Sequence, residues 1–77
     1  MLAAYILIQA GPGKAAVAAA ALRGLPGVSE TASVAGPYDV TARAQARHIG
    51  ELGKLAASRI QVLGGVTRTM TCPVIHL

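Results

Sequence analysis

Residues 28–46 read VSETASVAGPYDVTARAQA, and the fold turns on them. Two β-capable runs, 28–35 and 38–46, flank Gly36-Pro37, a pair that turns the chain and cannot continue a central strand. In the second run Val40, Ala42 and Ala44 alternate with Thr41 and Arg43, the period of two that marks a half-buried strand. The first run is a weaker strand former, because Ala and Glu are depleted in strands. Together they predict a hairpin. A chain this poor in acids and aromatics nevertheless places Tyr38 and Asp39 side by side at its turn.

Working outward, residues 14–27, KAAVAAAALRGLPG, are rich in alanine, and Val17, Ala21 and Leu25 recur at helical spacing. Gly24 and then Pro26-Gly27 stop that helix. Residues 2–10, LAAYILIQA, bounded by Gly11-Pro12-Gly13, form a strand that is apolar on both faces, Ala4, Ile6 and Ile8 on one and Tyr5 and Leu7 on the other. On the far side of the hairpin, residues 48–63 place Ile49, Leu52, Leu55, Ala56, Ile60 and Leu63 along a helical stripe that Gly64-Gly65 ends. A Thr- and Val-rich strand, residues 66–77, closes the chain, and Pro73 confines it to an edge or a bulge.

The order is βαββαβ, and the fold class is α+β: a ferredoxin-like sandwich with an antiparallel four-stranded sheet and two helices on one face. The other face is left bare. Either Tyr5 and Leu7 or the set Ala4, Ile6 and Ile8 occupies it, and a twofold dimer packing sheet on sheet is the simplest closure.

Composition supports association. A domain of 77 residues buries only roughly 60% of the surface its unfolded chain exposes, yet 53% of these residues are hydrophobic and 13% charged. The net charge of +4 comes from Lys14, Arg23, Arg43, Arg47, Lys54, Arg59 and Arg68, which are scattered, and there is no Phe or Trp to stack on bases. Direct nucleic-acid binding is therefore not expected. The apolar start has no basic leader and is far shorter than the roughly 20 residues of a membrane span, so neither a signal peptide nor an anchor is expected. One cysteine, Cys72, precludes an internal disulfide and fits a cytoplasmic protein.

Catalytic chemistry is thin. Asp39, Glu30 and Glu51 are dispersed over a hairpin end, a strand and a helix. Cys72 and His76 share a strand face but stand roughly 13 Å apart along an extended chain, too far for a direct hydrogen bond. His48 opens the second helix. The stretch GPGK, residues 11–14, lacks the spacing and the Ser or Thr of a phosphate loop and is a strand-to-helix turn. No metal site and no cofactor are expected.

Two motifs at the right separation resemble the effector-binding domain of the Lrp/AsnC family, the regulator-of-amino-acid-metabolism domain. The family's Gly-x-Tyr/Phe-Asp turn between its second and third strands is similar to Gly36, Pro37, Tyr38 and Asp39. Its helix-to-strand passage is similar to Ile60, Leu63, Gly65, Val66, Thr69 and Thr71. The resemblance runs from Tyr5 to Leu77. It implies dimers formed through the sheets, further assembly into tetramers of dimers, and binding of amino acids or related effectors where dimers meet. On that basis Gly36, Pro37, Tyr38, Asp39, Thr69 and Thr71 are the candidate ligand-binding residues: Asp39 accepting hydrogen bonds from a ligand ammonium or a neighbouring backbone, Tyr38 walling the pocket, and the two threonines donating hydroxyls. For Asp39 a bond inside its own turn is the alternative, for Tyr38 plain packing, and for the threonines strand propensity. Typical family members carry an N-terminal helix-turn-helix domain. This chain starts at Met1 just before the first strand, so residues 1–77 resemble a stand-alone effector domain that acts on transcription indirectly, by co-assembling with full-length regulators. The small residues of the first helix, and Ala42 and Ala44, depart from the bulkier aliphatics usual there. Two other readings are kept: a small dimeric ferredoxin-like enzyme of the monooxygenase type, its pocket between sheet and helices, and a purely structural partner of full-length regulators.

Overall fold

A computed structural model of the chain describes residues 2–75. The elements are β1 (Leu2–Ala10), α1 (Ala15–Arg23), β2 (Val28–Ser33), β3 (Val40–Ala46), α2 (Ile49–Lys54), which runs on into a π-helical segment (Leu55–Ile60), and β4 (Val66–Pro73). The strands form one antiparallel sheet in the order β2-β3-β1-β4. This is the ferredoxin-like βαββαβ arrangement. The strand holding Pro73 is indeed an edge, with the proline at its last position.

The choice between the two faces of β1 resolves cleanly. Ala4, Ile6 and Ile8 are fully buried and pack with Val40, Ala42, Ala44 and Ala46 of β3 against Ala19 and Leu22 of α1 and against Leu52 and Ile60 of the second helix. Tyr5 and Leu7 therefore take the bare face. Tyr5 stands between Arg43 and Cys72, and Leu7 between Thr41 and Met70. Tyr5 is 47% and Met70 46% exposed, an apolar stripe along the middle of the sheet.

Among the described residues, only six side chains larger than alanine are fully buried: Ile6, Ile8, Leu22, Leu52, Ile60 and Val40. Each contributes on the order of 1.5–3 kcal/mol by burial, and the alanines around them add little. The protomer's own core is small.

Three expectations need correction. In α1 the buried residues are Ala18, Ala19 and Leu22, while Val17 is 58% exposed and Leu25 lies past the helix end. Nine helical residues with seven alanines and valines offer little contrast in size, so Leu22 decides which side faces the sheet. In the second helix Ile49 is 64% exposed, because it opens the helix before the axis reaches the sheet. Its buried line is Leu52, Ala56 and Ile60. A step of four overshoots an α-helical turn by about 40°, and the wider π-helical turns absorb that drift. Finally, the hairpin strands are shorter than 28–35 and 38–46: residues 34–39 form the connection. Gly36, at φ +136°, occupies a backbone region that side chains rarely enter, and Pro37 has no N–H for a ladder.

Candidate functional site

Asp39 rivets the hairpin to β1. Its backbone N–H donates to the Ile8 carbonyl at 2.9 Å, its carbonyl accepts from the Val34 N–H at 2.9 Å, and its carboxylate Oδ2 accepts from the Ala10 N–H at 2.8 Å. The last bond meets a specific need. The pairing of β1 with β3 ends at Ile8 and Val40, so a side-chain acceptor takes the Ala10 donor where the β3 ladder has run out. The acid is thus bonded to a neighbouring strand and not within its own turn.

That rivet closes one end of a groove of about 470 Å³, whose walls include Gln9, Gly11, Gly36, Pro37, Asp39 and Thr67. The Gln9 amide donates to the Pro37 carbonyl at 3.3 Å, and the Thr67 hydroxyl donates to the Gln9 carbonyl at 3.0 Å. Polar donors and acceptors from three separate segments therefore converge with the hairpin turn and the β1–α1 loop. Gln9 and Thr67 were not singled out from sequence. The signal for Gln9 is its position, the one amide side chain in β1. Thr67 carries no local signal, since its place beside Gln9 depends on β1 pairing with a strand that lies 58 residues further along the chain.

The six candidate residues are not gathered at one point of the protomer. Gly36, Pro37 and Asp39 line the groove. Tyr38 is half-buried and its hydroxyl lies 4.0 Å from the Met70 sulfur, a weak contact that joins the turn to the chain of β4. Thr69 and Thr71 stand opposite Ile8 and Ile6, on the helix side of β4, and the Gln61 amide donates to the Thr69 hydroxyl at 3.3 Å. Gln61, Thr67 and Thr69 share a second, smaller depression by this edge strand.

At the opposite end of the sheet, His48 caps α2 by accepting the Glu51 N–H on Nδ1 at 3.3 Å. Glu51 reaches back, accepting the Arg47 backbone N–H at 3.2 Å and its guanidinium Nε–H at 3.0 Å. Those two bonds hold its carboxyl below the usual carboxylate range. Among the described residues there is no group of three or more His, Cys, Asp or Glu side chains able to hold a metal ion, and none of the buried core side chains is polar. The Cys72–His76 pairing lies outside the described residues. No described helix is long and apolar enough to cross a membrane.

A single-layer sheet with helices on one side, an apolar face on the other and a polar groove at one end defines a small α+β domain of the ferredoxin-like class. A protein-family model described as the Lrp/AsnC ligand binding domain matches residues 3–76, and the chain belongs to that family. Among solved structures, a protein from Thermus thermophilus is 32% identical, with 100% of this chain and 96% of that chain covered and a TM-score of 0.93. AsnC from E. coli is 23% identical over 99% of this chain and 52% of its own, with a TM-score of 0.91. A transcriptional regulator from Neisseria meningitidis, solved as a complex with L-Met, is 19% identical over 97% of this chain and 50% of its own, with a TM-score of 0.86. The last two share the fold, and this chain spans about half of each. No curated protein matches the chain in sequence.

Proposed function

We propose that the protein is a non-enzymatic, oligomeric sensor domain that binds an amino acid or a related small effector and acts on transcription indirectly, in the cytoplasm, through assembly with full-length regulators that supply the DNA reader. The observation that carries this reading is the groove walled by Gly36, Pro37 and Asp39, where backbone and side-chain polar groups from three segments converge. Family membership supports the ligand-binding part, and the relative solved with L-Met supports an amino acid as the ligand class.

The bare face supports association. Tyr5, Leu7 and Met70 form its apolar centre, flanked by Arg43 and Thr41, a surface that a second copy covers by a twofold packing of sheets. Tyr38, Thr69 and Thr71 lie away from the groove in one protomer, so their part in a ligand site requires a neighbouring protomer to bring its own residues alongside. A site completed in that way links ligand binding to assembly. A small amino acid of about five to eight heavy atoms, at roughly 1 kcal/mol per heavy atom, binds between about micromolar and millimolar.

The test is the solution mass by light scattering, with and without each of the twenty amino acids, on the wild type and on Asp39→Ala and Pro37→Ala. The expected result is that one amino acid, or a small set, raises the mass or thermal stability of the wild type and that both variants lose the response. If nothing in the panel acts and the variants assemble like the wild type, a structural co-assembly partner is the better reading. The enzyme alternative gains no support from the covered face, which Ala, Ile, Leu and Val fill.

A further inference from the structure

A second cavity, of about 530 Å³, lies at the other end of the sheet, between the turn that follows α1, the end of β3 and the second helix. Ala46 in its wall pairs with Leu2, whereas the Asp39 groove adjoins Ala10. The two openings are therefore separated by the length of β1, roughly 25 Å at 3.3 Å per residue. Nothing in the proposed sensor site uses this cavity.

Its walls have two characters. Ala46 and Leu55 supply an apolar floor, and Gly27, at φ +92°, keeps that floor accessible, since a Cβ there would stand 3.2 Å from the Gln45 carbonyl and 3.4 Å from Leu55. At the rim stand Lys54 and Arg59. Five residues apart, they would point about 140° away from each other on an α-helix. The π-helical segment, with its i→i+5 bonding seen between the Gln61 N–H and the Ala56 carbonyl, brings both to the same opening. The acid in this wall, Glu51, is occupied by its two bonds to Arg47, and neither Lys54 nor Arg59 has an ion-pair partner among the described residues. A cavity of this volume is in the range that holds small molecules.

We infer that this cleft is a second ligand site, for a small monocarboxylate with an apolar body, its hydrocarbon part on Ala46 and Leu55 and its carboxylate between Lys54 and Arg59. The apolar floor distinguishes such a ligand from inorganic phosphate, and the paired cations distinguish it from a neutral amphiphile. The site stands on this cleft alone and is independent of the sensor reading.

Backbone amide NMR titration with hexanoate tests it, using hexanamide and inorganic phosphate as controls. Hexanoate is expected to shift the resonances of Gly27, Gln45, Lys54 and Arg59 while leaving those of Gly36 and Asp39 in place. Hexanamide and phosphate are each expected to bind at least tenfold more weakly. The double variant K54Q/R59Q, at two exposed positions, is expected to weaken hexanoate at least tenfold with an unchanged spectrum elsewhere. Equal binding of hexanamide, equal binding of phosphate, an unaltered affinity in the double variant, or shifts at these residues that follow protein concentration and not hexanoate would each overturn the proposal. The last result would mean that a second copy of the chain covers the cleft.

Discussion

The two faces of the sheet are built from the same strands, yet one is complete and the other is not. On the covered face Ala4, Ile6 and Ile8 meet Val40, Ala42 and Ala44 and are sealed by two helices. On the bare face Tyr5, Leu7 and Met70 form an apolar stripe over which none of the described helices packs. On the proposed reading, the protein divides its burial between folding and association. A core with six large buried residues among those described is small for a domain, and the second face offers the apolar surface that the proposed sheet-on-sheet packing would cover.

The sharpest way to break the covered face is Ile6→Ala, which empties the centre of the core next to Leu22. Unfolding by urea should show a loss of about 3 kcal/mol, since a fully buried aliphatic is removed from a place that two helices hold rigidly. The matching change on the bare face is Leu7→Lys. Its expected outcome is a protomer that folds but associates at least 30-fold more weakly, about 2 kcal/mol, by analytical ultracentrifugation, and whose thermal midpoint no longer depends on concentration. Should Leu7→Lys unfold the protein at every concentration, the division between folding and association would fail.

Smaller effects test the edges where the faces meet. Asp39→Ala should cost about 1–2 kcal/mol in urea unfolding, because the Ala10 N–H loses its acceptor, and Asp39→Asn should recover much of that loss by retaining a side-chain oxygen. The smallest effect belongs to Glu51. Its carboxyl sits below the usual range when folded, so its stabilisation is present above the unfolded-state value and is lost as pH falls through the folded one. The midpoint of the wild type should therefore drop slightly more than that of Glu51→Gln between pH 6 and pH 3 in thermal scans, a small change because the pair is solvent-exposed.

Where local chemistry determined structure, the sequence was readable. Alternation in residues 40–46, the glycine and proline punctuation at residues 11–13, 24–27 and 64–65, and the two helical stretches were enough for the order of elements and the fold. What failed was contrast. An alanine-dominated helix barely distinguishes its two sides, so its spacing points Val17 inward and hides Ala18 and Ala19. The π-helical segment has no signature in composition, and with it the convergence of Lys54 and Arg59 was invisible. The turn Gly36-Pro37-Tyr38-Asp39 was legible as a special place, but the partner of Asp39 was not. Its acceptor role toward Ala10 arises because the pairing of β1 with β3 stops at Ile8 and Val40, a property of register across the chain.

The central position of β1 has a consequence for synthesis. It is made before the other strands, but it lies between β3 and β4, so one of its edges waits for residues 40–46 and the other for residues 66–73. Both pairings are distant in sequence, a topology that slows folding relative to locally wired domains of equal size. At translation rates of about 5–20 residues per second, Tyr5, Ile6, Leu7 and Ile8 spend several seconds outside the ribosome with both edges open. During that interval the nascent chain offers chaperones an unpaired apolar strand, and neighbouring nascent copies on one message offer each other the same surface.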